Sequence, residues 1–531
     1  MKTMLEKKIR EALIGLQAAG TLPDSVAPAI RVERPKDEHF GEYTTNIALV
    51  LAQQAKKSPM ELAEMIAESI RSQESGACEK VEVVRPGHIN FYLSQAEMVS
   101  VVEKVLKEKN RFGTSEIGAG MKVNNEFISA NPTGPLSVGN GRGGFYADSL
   151  SRVLRKAGFD VTNEYYVNDA GEQVMKLGHS VLKDSEAVYG GEYIEQLAAD
   201  NQQKTVRDTG EWAAREVLEN MIKKSVNEKM RVHFDVWTSE KKVIEDGYVD
   251  KALFILKERS LTFEQDGALW LRTTEFGDDK DRVLVKQDGV KTYFASDCGY
   301  ILQKMERGFN HIIEHWGADH HGYVSRFKAA ALALGFTGKT DFMLVQMVKV
   351  VKDGVEVRMS KRAGNVVSID ELIETVGHDV ARFFFLMYAP ETHMNFDLGL
   401  ALERSQKNPV FYVQYAHARL ASILRKAEEE GFVQTDVDFA LLVHEKEREL
   451  LRELLFFPEL VETVARDFSV HRFPQYAMRL ADKLHSFYDE CRVLDAENRP
   501  LSSARLGLIR AVQIVLRETL GLMGIAAPEK M

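Results

Sequence analysis

The sequence predicts a multidomain α/β protein: a small N-terminal α/β domain, a parallel α/β core interrupted by an insertion, and an all-α helical bundle at the C-terminal end. Three observations predict it. At 531 residues the chain is too long for one hydrophobic core and should divide into about three or four domains. Around residues 123–167 a strand, a glycine-rich turn, a helix and a second strand follow one another, which is a βαβ unit. Beyond about residue 380 the apolar residues recur only at helical spacing.

The chain opens with MKTMLEKKIREALIGL, an amphipathic helix whose stripe is Leu5, Ile9, Leu13 and Leu16. Its charges run throughout, so it is neither a secretory signal nor a membrane span. Ile47, Leu51 and Ala52 belong to a second helix, and 30–34, 81–84 and the alternation Ile89, Phe91, Leu93 to short strands. The segment FGEYTTN at 40–46 reads as a glycine turn at a helix start, without obvious chemistry.

In the core, Val123, Asn125 and Phe127 alternate with Asn124, Glu126 and Ile128 until Pro132, Gly134 and Pro135 break the pattern. Tyr146, Leu150, Val153 and Leu154 then recur at helical spacing up to Gly158, and 161–167 is extended again. A helix N-terminus after such a turn presents unpaired N–H groups and a positive dipole end, which suits phosphates. Glycines at 139, 141, 143 and 144 let backbone approach a ligand that a side chain would block. Their spacing is not the dinucleotide fingerprint and no Walker lysine follows, so a nucleotide cradle and a tight structural turn both stand open on the glycines alone.

Residues 168–280 are more polar and more helical, with Trp212, Val217, Met221 and Val226 at loosely helical intervals, and read as an insertion between two halves of the core. Strand-like runs resume at 283–285, at 292–294 and, after a helix around 301–306, at 312–314, which leads into WGADHHG. A helix at 326–334 ends at Gly335. The apolar run 343–351 predicts a strand buried on both faces of a parallel sheet, followed by a turn at Asp353-Gly354 and the loop RMSKRAGN at 358–365. In the bundle, Val461, Val464, Ala465 and Phe468 form one stripe; Ala477, Leu480, Ala481, Leu484, Tyr488 and Cys491 a second; Ile509, Val512, Leu516 and Leu520 a third. No internal repeat is visible.

With 44% hydrophobic and 28% charged residues the composition is that of an ordinary soluble protein. A net charge of −10 removes any easy case for nonspecific nucleic-acid binding but not for a local basic surface. Lys349, Lys352, Arg358, Lys361 and Arg362 could form one, and Lys407, Arg419, Arg425 and Lys426 another; a solvated face is the plain alternative for both. The three cysteines, 78, 298 and 491, lie far apart without a CxxC pair, which argues against zinc fingers and disulfides and for a cytoplasmic protein. His320 and His321 are adjacent, so they point different ways, and with no third ligand evident no structural metal is expected.

Three separate stretches resemble one family, the class I arginyl-tRNA synthetases. Phe127-Ile128-Ser129-Ala130-Asn131-Pro132-Thr133-Gly134-Pro135-Leu136 is similar to the segment leading into that family's HIGH signature, with Ser137-Val138-Gly139-Asn140 at the signature itself. Arg358-Met359-Ser360-Lys361-Arg362 resembles the KMSKS loop, and WGADHHGY at 316–323 a segment typical of the arginine enzymes. Similarity extends to YVNDAG at 166–171, YFASD at 293–297, DVARF at 379–383 and the ending GIAAPEKM at 524–531, so it spans essentially the whole chain.

The resemblance implies a class I Rossmann-like nucleotide-binding core at 113–380 with an insertion at about 168–280. It implies an N-terminal tRNA-binding domain at 1–112 that touches the tRNA elbow, and an α-helical anticodon-binding domain at 381–531. It implies an arginine–tRNA ligase that activates L-arginine with ATP and Mg2+ and transfers it to the 3′ end of tRNA(Arg), the first step needing bound tRNA, in a monomer without membrane association. Lys361, Ser137, Asn140 and Arg358 would be catalytic, with Gly139, Gly141, Gly317, Asp319, His320, His321, Met359 and Ser360 around ATP. Glu126, Tyr293 and Asp297 would hold the guanidinium, whose five donors want carboxylates and a phenol, and Ser129, Asn131 and Gln346 the backbone end of the amino acid. Tyr412, Gln414 and Arg419, with Tyr415 and His417, would face the anticodon, although Tyr412 and Tyr415 also have core spacing.

The chemistry suits these residues. Adenylation needs a carboxylate held in line with the α-phosphate and charge stabilised as pyrophosphate leaves. A lysine about 4 Å from that charge contributes roughly 4 kcal/mol at an effective dielectric near 20, and Lys361 on a loop could supply it. Ser137 and Asn140 stand where the HIGH signature has its two histidines; each keeps a donor, and a lost transition-state donor would slow the reaction about 10²- to 10³-fold. A second reading keeps the fold without the catalysis, as a paralogue that binds tRNA or arginine.

Overall fold

The computed structural model describes residues 1–23, 29–73, 76–357, 367–432 and 437–531. At the N-terminus the helix Lys2–Ala18 buries Leu5, Ile9 and Leu13. It belongs with a three-stranded antiparallel sheet of order β1-β3-β2, formed by β1 (Tyr43–Thr45), β2 (Cys78–Val84) and β3 (His88–Leu93). Gly41 has φ +85° and a Cβ there would lie 2.5 Å from the Phe91 carbonyl oxygen, so only glycine fits beside β3. The extended run 30–34 makes a single bridge, Glu33 to Thr44, rather than a strand.

The central sheet is parallel and five-stranded. It begins with β4 (Lys122–Glu126), β5 (Asp160–Val167) and β6 (Val236–Ser239). The chain then makes a separate antiparallel sheet from β7 (Thr262–Gln265), β8 (Ala268–Leu271) and β9 (Arg282–Val285) before returning with β10 (His311–Gly317) and β11 (Lys339–Val345). The order is β11-β10-β4-β5-β6, which puts β4 in the middle. A third sheet, of order β13-β12-β14, is built from β12 (Val348–Lys352), β13 (Val355–Glu356) and β14 (Met394–Asp397).

The crossover helix Val138–Lys156 joins β4 to β5, as the βαβ pattern predicts, with Phe145, Leu150, Val153 and Leu154 fully buried. Central β4 also buries Asn124, Asn125 and Glu126. Buried polar groups need partners, and Asn125 Nδ2 donates to the Ala147 carbonyl at 3.1 Å and to Ser151 Oγ at 2.7 Å, which locks strand to helix. Gly141 and Gly144 pack against neighbouring elements. A Cβ at Gly141 would come within 2.3 Å of Ile369 Cδ1, and one at Gly144 within 2.7 Å of Met230 Cε, so both are bare because neighbouring elements press against them.

Four sequence expectations need correction. The span 168–280 is not wholly an insertion, because β6 lies inside it and extends the central sheet beside β5. Residues 292–294 are not a strand: Thr292 Oγ1 accepts the Ala295 N–H at 3.3 Å and caps the helix Tyr293–Glu306, so a β-branched residue serves as an N-cap. The run 343–351 is two strands in two sheets, and β11 is a half-buried edge. The chain turns at Gln346, whose N–H donates to the Pro390 carbonyl at 2.9 Å while its own carbonyl accepts from Arg142 Nη1 at 3.1 Å. Finally, the chain beyond 380 is not all helix, since β14 pairs with β12, and a boundary at 381 would cut the helix His378–Leu386. Asp353-Gly354 does turn β12 into β13, with φ +52° and +79°.

The C-terminal helices Pro409–Glu429, Glu445–Asp467, Arg472–Glu490 and Arg499–Leu522 bury the expected stripes, Ile509, Val512, Leu516 and Leu520 completely. Their core is continuous with that of the central sheet. Tyr146 of the crossover helix donates to the Phe468 carbonyl at 2.7 Å, and buried Arg382 bonds both Asp148 of that helix and the Met523 carbonyl. On the other side, Tyr43 donates to Glu459 at 2.6 Å and Arg452 to Glu42 at 2.9 Å, which seats the N-terminal sheet on the bundle.

Candidate active site

A cavity of about 1810 Å3 opens at the carboxyl ends of β4, β5 and β10. From β4 the chain proceeds to β5 on one side and later to β10 on the other, and the crevice at such a reversal is where open α/β sheets bind ligands.

Its floor begins with Glu126, the last residue of β4. Glu126 Oε1 accepts from Ser129 Oγ at 3.0 Å, and Ser129 Oγ in turn accepts the Tyr166 N–H at 3.0 Å. These bonds hold Ile128 and Ser129 at φ +64° and +38°, a region costing a non-glycine residue about 1–3 kcal/mol. Glu126 Oε2 accepts from Lys304 Nζ and lies beside the Tyr300 hydroxyl, both at 2.7 Å. A buried ammonium therefore already faces Glu126.

The cavity holds two other carboxylates with no ion pair among the described residues, Asp297 and Glu240. Burial pushes the Asp297 carboxyl up to about 7, against the pull of Arg326, with Glu126 adding to the rise. Burial, then Asp297 and Asp169, push Glu240 up to about 7 as well. Tyr293 stands at the rim, 59% exposed, its hydroxyl 3.5 Å from the Glu172 N–H. Asn131 lines the cavity; Gln346 does not, and lies at the break between β11 and β12.

At the other end Ser137 and Asn140 form a capping box. Asn140 N–H donates to Ser137 Oγ at 3.2 Å, Ser137 N–H to Asn140 Oδ1 at 3.0 Å, and the Ser137 hydroxyl to the same Oδ1 at 2.8 Å. The serine hydroxyl is thus engaged within the turn, while Asn140 Nδ2 makes no hydrogen bond to the described residues. Gly139 is the glycine whose open side matters, since a Cβ there would meet only Ser137 Oγ at 3.5 Å. Gly317, Asp319 and His320 line the cavity where β10 ends; His321 does not. Lys361, Arg358, Met359 and Ser360 lie outside the described residues. Just beyond them, Val138 N–H donates to the Val367 carbonyl at 3.1 Å and Ile369 N–H to the Leu136 carbonyl at 2.9 Å, so the chain after that loop is pinned to the start of the crossover helix.

His315 is buried in the wall and burial pushes it down to about 3, so it is neutral. Asn125 Nδ2 donates elsewhere, so its Oδ1 accepts, and His315 Nε2–H donates to it at 2.9 Å. In the bundle, Tyr412 donates to Asp482 at 2.6 Å, Gln414 to Asp379 and to the Ala526 carbonyl at 2.9 Å each, and Arg419 lies 4.9 Å over the Tyr488 ring. His417 is fully buried against the Pro528 carbonyl at 2.8 Å, so it does not face RNA. Tyr415 is 41% exposed.

Sequence reasoning missed Glu240, Tyr300, Lys304, His315 and Arg326. Tyr293, Asp297, Tyr300 and Lys304 follow one another at spacings of four, three and four, one face of the helix Tyr293–Glu306. Reading 292–294 as a strand hid that face.

Known proteins give matches along the whole chain. The arginyl tRNA synthetase N terminal domain model matches residues 3–93, the model of the catalytic domain of class I tRNA synthetases (R) 181–382, and the DALR anticodon binding domain model 413–531. The arginine–tRNA ligase of Anoxybacillus flavithermus is 43% identical over 556 residues and that of Geobacillus kaustophilus 44% over 560, each match covering 100% of this chain and 99% of the relative. In fold the chain is similar to the arginyl-tRNA synthetase of Thermus thermophilus, with TM-score 0.79 at 22% identity over 100% of both chains. That of Plasmodium falciparum gives 0.77 at 16% identity, over 100% of this chain and 99% of the other. None of these matches supports the non-catalytic alternative.

Proposed function

The chain belongs to the arginyl-tRNA synthetase family, and from that premise we propose how its residues divide the work of an arginine–tRNA ligase. It is a class I enzyme that uses ATP to join L-arginine to tRNA. In the first step the arginine carboxylate attacks the α-phosphorus and pyrophosphate leaves; in the second a ribose hydroxyl at the tRNA 3′ end takes the arginyl group and AMP leaves.

The observation that carries the residue assignment is the pair of carboxylates without an ion pair among the described residues, Asp297 and Glu240, in the cavity at the β4–β10 reversal. A guanidinium placed between them would restore the charge that burial disfavours and give each carboxylate donors. Tyr293 covers the rim, Glu126 adds one acceptor, and Ser129 and Asn131 face the carboxyl end of the amino acid. ATP lies along Gly139, Asn140, Gly317, Asp319 and His320, its phosphates toward the N–H groups of the crossover helix. Magnesium enters with the triphosphate, whose oxygens supply most of its ligands.

Lys361 and Arg358 bring positive charge to the leaving pyrophosphate. Lys361 is six residues before Val367 in the sequence, and the Val367 carbonyl accepts the Val138 N–H at the start of the crossover helix. The N-terminal domain meets the tRNA elbow, and the bundle reads the anticodon with Tyr412, Tyr415 and Arg419. The first step requires bound tRNA, and the enzyme works as a cytoplasmic monomer.

Full-length protein with its matching tRNA should convert ATP to AMP and pyrophosphate only when arginine is present. Folded protein without that turnover would reject the activity. Lys361→Ala should slow adenylate formation about 10²-fold or more; an unchanged rate would remove the loop from the mechanism.

A further inference from the structure

Lys304 is fully buried on the helix face that carries Tyr293 and Asp297, and it does not itself line the cavity. Its ammonium donates to Glu126 Oε2 at 2.7 Å and to Glu314 Oε1 at 2.6 Å, and it sits 4.4 Å over the Tyr300 ring. A buried ammonium is tolerated only with such partners. Glu314, at 2% exposure, lines the cavity beside Glu126, so the ammonium is fixed from behind between two carboxylates of the cavity wall.

An ionised carboxylate offers about four lone-pair sites. Lys304 takes one on Glu126 Oε2, and the Tyr300 hydroxyl, 2.7 Å from that oxygen and 3.0 Å from Glu164 Oε1, takes another by giving its single proton to the nearer acceptor. Ser129 Oγ takes one on Oε1 at 3.0 Å. One site remains for the cavity.

We infer that Lys304 is a positioning residue for arginine selection: with Tyr300 it fixes Glu126 so that this carboxylate gives the amino acid a single acceptor, leaving the two-pronged grip on the guanidinium to Asp297 and Glu240. Without Lys304 the Glu126 carboxylate can turn and loses its cation, and the pocket no longer distinguishes one acceptor from two.

The inference rests on Glu126 belonging to the arginine pocket, so Glu126→Gln is measured beside Lys304→Met in full-length protein with arginine, ATP and tRNA. Lys304→Met should raise the KM for arginine about ten-fold or more, with the KM for ATP changed by less than about two-fold. A folded Lys304→Met whose arginine KM is unchanged, or whose two KM values rise together, overturns the inference. An unchanged arginine KM in Glu126→Gln overturns the pocket assignment instead. If Lys304→Met does not fold, Tyr300→Phe carries the test, because it removes the other donor to the same oxygen with little change of shape. It should raise the arginine KM about three-fold or more with the ATP KM constant, and no rise overturns the inference.

Discussion

Asp297 and Glu240 give the site its pH dependence. Both carboxyls are raised from their ordinary values near 4 up to about 7. A group raised on folding contributes stability that is complete below its unfolded value and is lost as pH rises through its folded value. These two therefore destabilise the free protein progressively from about pH 4 to 7, while in the proposed pocket arginine binds their charged forms. The rise in Tm on adding arginine should thus grow from pH 6 to pH 8; a shift that shrinks over that range would contradict the assignment. Asp297→Asn should raise the arginine KM by about 10- to 10³-fold at constant ATP KM, the scale for unpairing a buried charged hydrogen bond. Ser137 and Asn140 separate differently. Ser137→Ala should mainly remove a helix cap and cost about 1 kcal/mol in denaturant melts, whereas Asn140→Ala, which also removes Nδ2, should lower kcat about 10²- to 10³-fold.

At the scale of elements, the crossover helix is fixed by close approach as much as by apolar burial. Gly141 admits Ile369 at a distance no Cβ would allow, and the helix Ile369–Val376 that carries Ile369 is the first element after the loop containing Lys361. Gly141→Ala should destabilise by about 1–3 kcal/mol, and Ile369→Val should recover part of that in the double variant; additive losses in urea melts would show that the two do not touch. The elements misread from sequence share one cause. Strand propensity at 292–294 and along 343–351 reflects local residue types, but an N-cap at Thr292 and a break at Gln346 are decided by what accepts and donates around them. The break at Gln346 depends on Arg142 and Pro390, which are remote in sequence.

At the scale of the molecule, the C-terminal segment ties the bundle to the catalytic layer. Asp379 accepts the Ala526 N–H at 3.2 Å, Gln414 donates to the Ala526 carbonyl, and His417 meets the Pro528 carbonyl. Deleting 526–531 would leave these groups without partners, at about 1–3 kcal/mol for each that stays buried. The shortened protein should melt at lower urea, and hydrogen exchange should speed first along Pro409–Glu429; unchanged exchange there would show that the segment is not a structural tie.

The sequence by itself determined the βαβ unit at 123–167, the stripes of the bundle and, through WGADHHGY and RMSKR, the family. Those features depend on neighbours three or four residues away or on contiguous motifs, which a linear reading sees. Tertiary structure alone decided that Glu126 is already paired with Lys304, that Gly141 meets Ile369, and that Glu240 joins Asp297 in one cavity. Each of these sets residues more than 50 positions apart within a few ångströms or around one cavity, and at such range the physics is that of burial and pairing, which residue order does not display.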